Sequence, residues 1–76
     1  MHPLDAACSR WEAAQRALVI AESVFAEAVH MYLVRRGPDP SEGAAAGLYE
    51  ARVQSAHALA EMRLTLEECR RAIRIL

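Results

Sequence analysis

Large residues recur at every seventh position through the first half of this chain, at Leu4, Trp11, Leu18, Phe25 and Tyr32. Alanine follows three places after four of them, at Ala7, Ala14, Ala21 and Ala28. A seven-residue repeat keeps one stripe of an α-helix turned toward a partner helix over many turns, and it does not fit the two-residue alternation of a strand. The second half carries the converse pattern. Ala44, Ala51, Ala58, Thr65 and Ala72 form a small stripe, and Leu48, Met62, Cys69 and Leu76 form most of a large one. If the chain folds back on itself the stripes interlock, large against small. The expected fold is therefore all-α: an antiparallel two-helix hairpin, a short antiparallel coiled coil with a close-packed, alanine-rich seam.

The stripes also imply a register in which residue i faces residue 76 − i. Tyr32 then meets Ala44, Phe25 meets Ala51, Leu18 meets Ala58, Trp11 meets Thr65 and Leu4 meets Ala72. In the other direction Ala28 meets Leu48, Ala14 meets Met62 and Ala7 meets Cys69, while Ala21 against Ser55 is the one small-on-small layer. A slip of three or four residues sets large residues against large ones, which costs close packing.

The punctuation agrees with two helices in a single domain spanning residues 1–76, with helix one over about 3–36, a turn at 37–39 and helix two over about 40–75. Pro3 and Asp5 suit a first turn. Arg35 and Arg36 complement a carboxyl-terminal helix end, Gly37 fits a left-handed terminating position, and Pro38 blocks continuation. Asp39, Pro40 and Glu42 have the spacing of a capping box, with Asp39 as N-cap and Pro40 at the first helical position. Gly43 and Gly47 weaken the first turns of helix two by roughly 1 kcal/mol each relative to alanine.

Composition says that the hairpin is not self-sufficient. The chain has 76 residues and is 54% hydrophobic but only 25% charged, with a net charge of −1. A chain this short has difficulty burying an adequate core alone. After the seam has taken its residues, Val19, Ile20, Val24, Met31, Leu33 and Val34 remain on helix one. Helix two adds a row of Leu59, Leu66 and Ile73, seven apart, in which Arg52 is the single misfit. Arg52 is expected to snorkel to the edge and pair with Glu22 or with an acid of another chain. Ile20, Val24, Met31, Arg52, Leu59, Leu66 and Ile73 are the candidate partner interface. A second copy is the expected partner, giving a homodimeric four-helix bundle. A foreign helical protein is the alternative occupant of the same flank, which would make the chain an adaptor or co-chaperone.

Other classes find less in the residues. Glu27 and His30 have the Glu-x-x-His spacing of di-iron bundles, but helix two offers no matching second motif, so no metal or cofactor is expected. Ser, His and Asp are present without any spacing that sets a nucleophile against a base, so no catalytic residue is assigned and the chain reads as non-enzymatic. Glu12 with Arg16, His57 with Glu61, and Glu67 with Arg71 suit exposed i, i+4 pairs. Arg63, Arg70, Arg71 and Arg74 give the end of helix two a basic cast. A nucleic-acid accessory role is the alternative they raise, and the interleaved Glu61, Glu67 and Glu68 argue against it. The near-neutral balance gives no strong field toward nucleic acid or anionic lipid.

The apolar run over 17–34 carries Glu22, Glu27 and His30, which are costly in hydrocarbon, and no signal-peptide pattern precedes it. A cytoplasmic protein is expected. All nine basic residues are arginine, lysine and asparagine are absent, and this usage suits a GC-rich bacterial genome. Cys8 and Cys69 are brought near one another by the register, and in a reducing compartment they read as two thiols rather than a disulfide.

Two family resemblances attach to particular segments. The stretch from Leu48-Tyr49-Glu50 to Ile73-Arg74-Ile75-Leu76 resembles the second helix of the exonuclease VII small subunit, while helix one lacks that family's acidic pattern and the turn its Gly-x-Leu-Pro. The hairpin format is similar to that of the small co-chaperones of type III secretion needles, which implies a helical partner bound through an apolar face.

Overall fold

The computed structural model describes residues 2–34 and 36–75. It is a hairpin of two long helices, α1 (Pro3–Leu33) and α2 (Gly43–Ile75), packed antiparallel along their lengths. Among the described residues there is no strand. The molecule is a rod of 63 × 17 × 13 Å, and its radius of gyration of 17.6 Å far exceeds the ~11 Å of a compact chain of this length.

His2 starts α1. Its backbone is extended, its carbonyl accepts from the N–H groups of Asp5 and Ala6, and its Nδ1 accepts the Leu4 N–H at 3.0 Å. Pro3 then occupies the first turn, where its missing N–H costs nothing, and Asp5 lies in the positive end of the helix. The sequence pattern had marked Pro3 and Asp5 but not His2, an uncommon N-cap.

The far end of α1 differs from expectation. The helix stops at Leu33 rather than near residue 36. The Val34 N–H still donates to the His30 carbonyl, and the Arg36 N–H reaches back five residues to Met31 at 2.9 Å, a wide closing turn that satisfies another terminal carbonyl. Gly37 does not take the left-handed conformation. A Cβ at Gly37 would lie 3.3 Å from the Met31 Cβ, so the glycine serves close passage of the loop over the end of α1. Arg35 and Leu76, which the pattern placed at the helix end and in the large stripe, lie outside the described residues.

The capping box does not form as expected. The Asp39 carboxylate accepts the Ser41 N–H at 2.9 Å, closing a turn that precedes the helix. The Ala45 N–H then donates to Pro40 across five residues, and regular α2 begins only at Gly43, three residues late. Two glycines in the first five positions of α2 explain why the helix does not propagate back toward Pro40.

The expected register is replaced. Arg10 pairs with Glu61, Gln15 hydrogen-bonds Ser55, and the Cys69 Sγ lies 3.9 Å from the His2 Nε2. The numbers in each pair sum to 70 or 71, not 76, so α2 is slid by about five residues, ~8 Å along the axis. Phe25 is consequently not level with Ala51, nor Leu4 with Ala72, nor Tyr32 with Ala44. Each large residue of α1 instead falls between two rungs of α2: Leu4 between Thr65 and Cys69, Trp11 between Ala58 and Met62, Leu18 between Ala51 and Ser55, Phe25 between Ala44 and Leu48. Levels of this kind are those of knobs-into-holes packing, and they keep one small residue beside each large one without the face-to-face pairing that the stripes imply. The slide leaves about the last turn and a half of α1 and the last two turns of α2 overhanging in opposite directions.

Candidate functional site

The seam itself is shallow. Leu4, Trp11, Leu18 and Phe25 are half-buried, as are Ala44, Ala51 and Thr65, and Ala58 is buried. Tyr32 is 46% exposed and Ala72 is exposed, because each sits on an overhanging helix end. The deepest residues are Ala7, Leu48, Ala58 and Ser55. Among the described residues no large side chain is fully buried. The Trp11 indole N–H is shielded from solvent without an acceptor. Ser55 is the buried polar member, and its hydroxyl donates to Gln15 Oε1 at 3.1 Å. The expected Ala21–Ser55 layer is thus not formed: the slide takes Ser55 away from Ala21 and sets it against Gln15, where a side-chain hydrogen bond crosses the seam.

Outside the seam lie two apolar flanks rather than one. On α1, Ile20 (63% exposed), Val24 (53%) and Met31 (36%) share a row with Ala13, Ala17 and Val34. This row borders a groove lined by Ala17, Ile20, Ala21 and Val24 from α1 and by Gly43, Gly47, Leu48 and Ala51 from α2. Nothing lies within 4 Å of where a Cβ on Gly43 or Gly47 would project, so the α2 wall of the groove is low. Arg52, Leu59, Leu66 and Ile73 run along the opposite side of the α2 seam from Gly47, Gln54 and Glu61, by the helical repeat. Ile73 is widely exposed, Leu66 and Arg52 are exposed, and Leu59 is half-buried. The candidate interface residues are therefore not brought together: Ile20, Val24 and Met31 take one flank, and Arg52, Leu59, Leu66 and Ile73 take the other. Tyr49 and Leu64, each about 70% exposed, belong to none of the seven-residue rows, so the pattern does not single them out.

The charged residues rearrange with the register. Glu61 is held by Arg10 across the hairpin, not by His57 one turn away. Among the described residues neither Glu12–Arg16 nor Glu67–Arg71 closes to ion-pair distance, and Arg52 does not reach Glu22. The Glu61 carboxylate holds the Arg10 guanidinium in its charged form, chiefly by the hydrogen bond between them. Asp39 is held below its ordinary range by the Ser41 backbone N–H. Cys8 and Cys69 are free and half-buried, and the slide sets Cys8 about six residues, ~9 Å, from the level of Cys69.

Glu27 and His30 are exposed, and among the described residues no group of three or more His, Cys, Asp or Glu could hold a metal ion. Arg63, Arg70, Arg71 and Arg74 are exposed, the last three on the overhanging end of α2. No helix of the described residues is long and apolar enough to cross a membrane. No protein-family model, no curated protein and no solved structure matches the chain.

Proposed function

We propose that this chain is a non-enzymatic protein–protein interaction module that works by self-association, two hairpins combining into a four-helix bundle. The observation that carries this reading is the missing interior: two packed helices enclose Ala7, Leu48, Ala58 and Ser55, and no large side chain among the described residues is fully buried. The exposed surface of 5980 Å² is well above the ~4,600 Å² of a compact monomer of 8.4 kDa. The difference, about 1,400 Å² per chain, is more than the ~800 Å² that each partner contributes to a standard stable interface. Among the described residues eleven large apolar side chains are at least one-third exposed, and a second copy supplies a helix of matching length to cover part of this surface. Closed twofold dimers are the commonest soluble assembly.

The test is the solution mass by light scattering across a concentration series. The expected result is a species near twice 8.4 kDa that persists on dilution into the micromolar range. A stable monomer throughout overturns the reading and leaves the flanks for a foreign helical protein.

A further inference from the structure

The α1 flank has a property beyond being apolar: it is complementary to itself. The row runs Pro3, Ala6, Arg10, Ala13, Ala17, Ile20, Val24, Glu27, Met31, Val34, alternating steps of three and four that keep it on one side of the helix. Its first half is small apart from one cation, and its second half is large apart from one anion. We propose that two copies pair α1 against α1 in antiparallel fashion through this row, with residue i level with residue 37 − i of the partner. This deepens the self-association reading and rests on it.

In that register Ala17 lies against the partner's Ile20, Ala13 against the partner's Val24, and Ala6 against the partner's Met31. Pro3 meets the partner's Val34, and Arg10 meets the partner's Glu27. Every large residue finds a small one and each charge finds its opposite, twice over by symmetry. A slip of one heptad destroys both features, because it sets Ile20 against Val24 in one direction and against Arg10 in the other. The twofold axis falls between residues 18 and 19, and α1 itself spans Pro3–Leu33, centred on residue 18. The two helices therefore overlap along their full length with no overhang.

The hairpin leaves the row accessible. Ile20, Val24, Met31 and Val34 are 63%, 53%, 36% and 46% exposed, and Ala13, Ala17 and Glu27 are exposed. Gly43 and Gly47 keep the neighbouring wall of α2 low, so the row stands proud where the partner helix arrives. Arg10 already bonds Glu61 of its own chain through one nitrogen, and a guanidinium has five donors, so the same side chain also reaches the partner's Glu27. The opposite flank of Leu66 and Ile73 takes no part in this contact.

The experiment combines cross-linking with mass. In a background with Cys8→Ser and Cys69→Ser, one chain carries Ala13→Cys and a second carries Val24→Cys, and the two are mixed, exchanged and oxidised. The expected product is the mixed disulfide between positions 13 and 24, in large excess over either like-with-like disulfide, whose positions lie about eleven residues, ~16 Å, out of level. Predominant 24–24 cross-links overturn the pairing. Light scattering on single variants gives the second readout. Val24→Glu weakens the dimer at least tenfold while circular dichroism shows the helices intact, and Leu66→Glu leaves the dimer unchanged. The reverse sensitivity overturns the proposed face. If the wild-type chain is monomeric throughout, it is self-association that has failed. If it is dimeric with the wrong cross-links, only this pairing has failed.

Discussion

Trp11 carries a conflict between packing and polarity. Its ring is the largest knob in the seam, yet its indole N–H is shielded from solvent with no acceptor, a penalty of about 1–3 kcal/mol. Trp11→Phe removes that donor with much of the ring retained, so urea unfolding should show a loss below about 1 kcal/mol. Trp11→Ala empties the hole between Ala58 and Met62 and should cost about 3 kcal/mol. Equal losses in the two variants would mean that the N–H is satisfied. Ser55 presents the converse case. Its hydroxyl satisfies Gln15 across the seam, so Ser55→Ala should cost about 1 kcal/mol despite alanine's better helix propensity. A stabilised Ser55→Ala would show that the bond contributes nothing to the register. A Cβ added at Gly37 would lie 3.3 Å from the Met31 Cβ, so Gly37→Ala should lower the melting temperature slightly, whereas the same change at an open loop glycine usually raises it.

At the scale of the element, the heptads make both helices legible, because a large–small repeat held over four heptads has no other regular solution. The ends were less legible. The residue types of Gly37 and the Asp39–Glu42 segment suggest a glycine cap and a capping box, but the loop closes through two backbone bonds between residues five apart, Arg36 to Met31 and Ala45 to Pro40. Such bonds depend on the path of the chain and leave no signature in residue type. The register was legible only up to a slide, because volume alternation tolerates a knob between rungs as well as on one. The polar contacts Arg10–Glu61 and Gln15–Ser55 discriminate, and they join residues far apart in sequence.

The turn before α2 also has a pH dependence. The Ser41 N–H favours the ionised form of Asp39 and lowers its pKa from the ordinary 3.8. Its contribution to stability is therefore complete above that value and is lost as pH falls through the lowered folded value. Asp39→Asn, which keeps an acceptor but not the charge, should flatten the part of the acid-unfolding profile below pH 4 that belongs to this turn. An unchanged profile would place the acid sensitivity elsewhere.

For the whole molecule, the sequence pattern carried the excess of apolar surface but not its distribution. Ile20, Val24 and Met31 stand on one flank and Leu59, Leu66 and Ile73 on the other because the side of the seam that a row occupies depends on helix direction and register together. Counted on one helix at a time, the two rows look like one interface. Set on the hairpin they are two, and only the α1 row matches itself. The slide also explains the 63 Å length of the rod and the exposure of Tyr32 and Ala72, which face-to-face pairing would have covered.

The central claim is that the fold of one hairpin is completed by another. Thermal unfolding followed by circular dichroism over a hundredfold range of protein concentration tests it most directly. If folding and pairing are coupled, the hundredfold change is worth up to about 2.7 kcal/mol of apparent stability, and the midpoint should climb by several degrees across the range. A cooperative transition whose midpoint does not move with concentration would mean that the isolated hairpin is stable with its flanks uncovered, and would contradict the account.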